Sequence, residues 1–172
     1  DFFKRKLVFH DENEKFFDDN SDRMIFFCKG ALETVRKFGW PPDIIHCIGW
    51  MTSLIPMYLK TTYKDDPVFA NAKVVYSVMK NEFDGKLKAD FVTKLVISEE
   101  ISKKHIDFFK GGDNTSLHLG GLEFADALMV GESLDEKITI QLKKAKGKKV
   151  LNITAEEETT MPMFTQFYKN IL

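Results

Sequence analysis

The chain has 172 residues, of which 44% are hydrophobic and 30% charged, and its formal net charge is -1. That length fits one domain with a single core. The interspersed signs exclude a broad basic field for nucleic acid, and the absence of an apolar span of about 20 residues or a signal-peptide pattern excludes a membrane protein and makes the cytoplasm the expected compartment.

Residues 1–18 are charged and aromatic without a sustained period, which suits a surface loop. A helix follows: Asn20, Ser21 or Asp22 can cap its free N–H groups, Met24, Phe27, Ala31, Leu32, Val35 and Phe38 recur at three- and four-residue steps, and Gly39 ends it. In "WPPDIIHCIGW" the prolines stop the helix, and Ile44 and Ile45 form a short buried strand. Met51 to about Tyr63 reads as a helix kinked by Pro56, and "AKVVYSVM" is a β-branched run of the kind a parallel sheet buries on both faces. Residues 86–97 and 99–110 read as helices, and "KGGDNTSLHLGG" as a connection with room for one short helix. A strand at Ala127–Val130, a turn containing Gly131 and Ser133, a helix from Leu134 to Ala145 and a strand at Val150–Ile153 repeat the rhythm. A last helix sets Phe164, Phe167, Tyr168 and Ile171 on one side. Alternating helices and strands imply an α/β, Rossmann-like parallel sheet flanked by helices. The run from Lys143 to Lys149 reads as a solvated helix end and loop. Cys28 and Cys47 read as buried thiols, since no Cys-x-x-Cys pattern suggests zinc.

The segments "DDNSDRMIFFCKGALE", "PDIIHCIGWMTSLIPMYL", "KVVYSV" and "GLEFADALMVGESLDEKI" together resemble the N-terminal catalytic domain of bacterial glycogen and starch synthases, closely over residues 16–80 and 120–140. The chain is similar to the short, single-domain glycogen synthase-like proteins of Bacteroidetes-type bacteria. The resemblance implies the first of two Rossmann-like domains, spanning residues 1–172 but lacking its first strand and loop, with no C-terminal nucleotide-sugar domain. The family activity it implies is glucosyl transfer from ADP- or UDP-glucose to an α-1,4-glucan, with ligands at strand ends facing the cleft. The family pattern His-x-His-Asp-Trp is met here by His46, Trp50 and Thr52, which are the candidate substrate-binding residues. Ile48 and Gly49 stand where the second histidine and the acid are expected. Met79 stands for the histidine at the end of the next strand, and a thioether cannot donate a hydrogen bond. Glu132 and Ser133 replace a Ser-Pro turn, and the glycine-rich loop that cradles donor phosphates is absent.

Each candidate has a plainer reading. His46 could be a hydrogen-bonding corner residue, Trp50 core packing at a helix start, and Glu156–Glu158 helix capping. His10, His46, His105 and His118 share no spacing suited to a metal, and "VGES" is not a nucleophile elbow. No cofactor is expected. Two functions follow: half of a glucosyltransferase, inactive alone, that holds α-glucan or nucleotide sugar; or a non-catalytic glucan- or protein-binding regulatory module. A partner protein or a homodimer is consistent with either.

Overall fold

The computed structural model describes residues 4–78, 83–131, 134–153 and 157–172. Its centre is a four-stranded, all-parallel sheet in the order β1 (Ile44–Ile48), β2 (Lys73–Val78), β3 (Ala127–Val130), β4 (Lys149–Asn152). Each strand follows its sequence neighbour through a crossover, which is what the alternation of strand and helix patterns requires.

Side chains alternate across the sheet. Cys47, Val74, Tyr76, Val78, Leu128 and Val130 point into the larger core, which they share with α1 (Asn20–Phe38), α2 (Leu54–Lys60) and α5 (Asn114–Phe124). The opposite face carries Ile44, Val75, Ala127, Met129 and Leu151, and α7 (Glu157–Ile171) packs on it through Phe164, Phe167, Tyr168 and Ile171. The α/β expectation and the predicted face of the last helix are therefore met.

Several local expectations are corrected. α1 begins and ends where its pattern indicates, yet its buried stripe is Met24, Cys28 and Leu32, while Phe27 and Phe38 are exposed. Asp19 occupies the N-cap position without capping, because Arg5 holds its carboxylate at 2.6 and 2.7 Å. Pro56 does not kink a helix: α2 starts at Leu54, so the proline lies in the first turn, where its missing N–H has no partner to lose. The helices expected at 86–97 and 99–110 shrink to α3 (Phe91–Lys94), α4 (Lys103–Ile106) and a 3₁₀ turn at Asp107–Phe109. Their apolar residues, Leu87, Phe91, Leu95, Ile101 and Phe109, plug into the core one at a time instead of along a helical face. The helix for which "KGGDNTSLHLGG" left room is α5, which runs on to Phe124 and is capped by Asp113 accepting from the Ser116 N–H at 2.8 Å. Within the lysine run after α6 (Glu136–Lys144), Lys148 is half-buried and donates to the Leu122 and Glu123 carbonyls at the end of α5.

The segment before α1 is more than a surface loop. Phe9 and Phe16 pack against the core, His10 and Phe16 form an antiparallel bridge, and the buried Arg23 guanidinium donates to the Val8 carbonyl and to Asn20.

Candidate functional site

Open parallel sheets receive ligands beyond the carboxyl ends of their strands. Here that edge is Ile48, Val78, Val130 and Asn152. Ile48 is 55% exposed, and the chain then turns at Gly49 with φ 73° and ψ 175°. Residues with side chains are strained in that region, so glycine is the residue the turn requires. The Gly49 carbonyl accepts from the Thr52 N–H at 3.3 Å, the Thr52 hydroxyl at 3.0 Å and the Tyr76 hydroxyl at 3.2 Å. The Thr52 hydroxyl also lies 3.1 Å from the Ile48 carbonyl. It helps close the 3₁₀ turn at Trp50–Thr52.

Trp50 is fully buried. Phe9, Phe16 and Phe83 surround it, with ring centroids 4.9, 5.9 and 4.9 Å away. Of its two sequence readings, core packing is the one observed: no ring face is open to a sugar.

His46 sits half-buried on the α7 side of the sheet. Its Nε2 lies 2.6 Å from the Ser77 hydroxyl and its Nδ1 2.6 Å from the Tyr168 hydroxyl. Those are the distances of a nucleophile, a base and its orienting group. Ser77, however, is 2% exposed, so no substrate reaches its oxygen. The arrangement joins β1, β2 and α7, which is the corner-residue reading. Burial lowers the His46 pKa from its ordinary value. Met79, Glu132, Ser133 and Glu156 lie outside the described residues.

Sequence reasoning missed a second network. Tyr76 and His118 are both fully buried, with the Tyr76 hydroxyl 2.9 Å from His118 Nδ1. Burial pushes the His118 pKa down to about 4. The available signal was a lone polar ring in the apolar run Leu117–Leu122, opposite a tyrosine in a β-branched run. Also missed was a cavity of about 630 Å³ lined by Leu7, His10, Asp11, Glu14, Phe16, Phe83 and Asp84. It adjoins the strand-end side, since Phe16 and Phe83 are the rings that flank Trp50. Glu14 is held there at φ 62°. Among the described residues, no three His, Cys, Asp or Glu side chains gather as metal ligands, and no helix is long and apolar enough to cross a membrane.

Residues 1–151 match the family model described as the starch synthase catalytic domain. The chain belongs to this family. Glycogen synthase of Chlorobium limicola is 38% identical over 128 residues, covering 74% of this chain and 25% of that protein. Glycogen synthase of Desulforudis audaxviator is 34% identical over 112 residues, covering 65% of this chain and 22% of its own length. The catalytic domain of starch synthase IV from Arabidopsis thaliana, bound to ADP and acarbose, superposes with a TM-score of 0.63 at 19% identity, over 88% of this chain and 32% of that one. The chain thus spans about a quarter of the length of these glycogen synthases. Within the starch synthase family frame, α7 lies beyond the matched residues yet closes the second face of the sheet.

Proposed function

We propose that this starch synthase-family domain holds an α-glucan and does not by itself transfer glucose. The observation that carries this reading is the strand-end turn. Where the family resemblance implies two polar side chains, Ile48 offers an exposed aliphatic group and Gly49 none. Both nitrogens of His46 are engaged by protein hydroxyls. Retaining glucosyl transfer needs preorganised donors or charges at the departing phosphate, each worth about 3 kcal/mol, and the turn supplies no such side chain. The neighbouring cavity suits a sugar better than a phosphate: Asp11, Glu14 and Asp84 accept hydrogen bonds from hydroxyls and repel anions. The Arabidopsis protein of the same fold is bound to acarbose and ADP, which supports an oligosaccharide as the ligand class.

The test is paired. The purified chain is run in native gels cast with glycogen and, separately, incubated with radiolabelled ADP-glucose or UDP-glucose and glycogen. Retardation without incorporation is the expected result. Incorporation would overturn the non-transferring assignment.

A second reading, protein binding, is favoured by Phe38 and Trp40, each 80% exposed around the end of α1. Absence of retardation together with oligomerisation or capture of a synthase partner would select it.

A further inference from the structure

β1, β2 and α5 meet at one phenol. The Tyr76 ring crosses from β2 over α5 at Gly121, where an added Cβ would stand 2.4 Å from the ring, and Gly120 makes the same room for Phe109, at 2.2 Å. This close approach carries the Tyr76 hydroxyl to the Gly49 carbonyl, 3.2 Å away in the strand-end turn. A phenol has one proton. Once that proton is donated to Gly49, the phenol oxygen accepts from its other neighbour, so His118 must present Nδ1–H across their 2.9 Å contact. The imidazole is thereby fixed in one tautomer by a bond whose far end is a backbone carbonyl of the candidate site. The Gly49 carbonyl is drawn inward, and Ile48 is left as the group the rim displays.

We infer that Tyr76 and His118 are positioning residues for the Ile48–Thr52 turn, holding Gly49 in its left-handed conformation and so setting the aliphatic surface that a glucose ring meets. The ligand half of this inference rests on the proposed glucan reading; the positioning half does not. Neither residue touches the ligand. Their effect passes through one carbonyl.

Hydrogen–deuterium exchange on the whole chain tests the positioning half, using Tyr76→Phe, His118→Leu and His118→Asn, the last keeping an amide N–H near the Nδ1 position. Tyr76→Phe and His118→Leu are expected to speed exchange of the amides at 49–53 by about tenfold, with β3 amides unchanged and His118→Asn near wild type. Unchanged exchange at 49–53, or an equal rise across β3, would overturn the inference. Titration with maltoheptaose tests the ligand half, with Kd expected to weaken about tenfold in Tyr76→Phe and His118→Leu and to stay near wild type in His118→Asn. If the wild-type chain binds no maltoheptaose, the glucan reading fails, while the exchange result still decides the positioning role.

Discussion

Burial keeps the His118 imidazole neutral in the folded chain until about pH 4, whereas its ordinary value is 6.5. A histidine whose folded pKa is depressed binds its proton more readily when unfolded, so stability is greatest above about pH 6.5 and is lost as pH falls towards 4. At about 1.4 kcal/mol per pH unit, this histidine accounts for a loss of about 3 kcal/mol over that window. Burial of His46 acts in the same direction. Urea unfolding at pH 7 and pH 4.5 should show a marked loss for the wild type and a smaller one for His118→Leu. Trp50 gives a second residue-scale prediction. With Trp40 removed by Trp40→Phe, the remaining emission should be blue-shifted and resist acrylamide quenching, because Trp50 is enclosed by three phenylalanines. Of the site, only positions could be read from the sequence. The motif located His46, Trp50 and Thr52 at a strand end, but Ser77 and Tyr168 capture the first, aromatic packing encloses the second and backbone carbonyls occupy the third. All of these partners come from distant residues or from backbone geometry, which local spacing does not encode.

At the scale of elements, the strands and α1 were legible because β-branched runs and a three-to-four-residue period are dictated by one-dimensional rules. α5 was legible only as a short helix inside a glycine-bearing connection: the purpose of its paired glycines, room for Phe109 and Tyr76, exists only once the sheet is assembled. The region before it failed for the opposite reason, since residues spaced like a helical face serve as separate plugs on short turns. Among the described residues, α7 is attached by buried Phe167, by half-buried Phe164, Tyr168 and Ile171, by the Tyr168 bond to His46 and by the bond from Lys149 to the Asn170 carbonyl. Phe167→Ala should therefore cost about 3 kcal/mol. Tyr168→Phe should cost about 1 kcal/mol, the worth of a single hydrogen bond. Exchange measurements should show α7 amides opening in both variants before those of β2.

For the molecule as a whole, one parallel sheet carries apolar groups on both faces, and the two cores share every strand from β1 to β3. Such sharing couples them. Far-UV circular dichroism and Trp50 fluorescence should consequently give coincident urea transitions; a fluorescence change preceding the loss of ellipticity would show that the Trp50 side melts separately. The turn at Gly49 also bears on how this branch of the family could be re-engineered. An aspartate placed there would have to adopt φ near 73°, at a cost of about 1–3 kcal/mol, beside a carbonyl already claimed by Tyr76 and Thr52. Gly49→Asp alone would therefore weaken the scaffold. Any change at this turn therefore propagates to the phenol and to the helix behind it, so the three must be redesigned together.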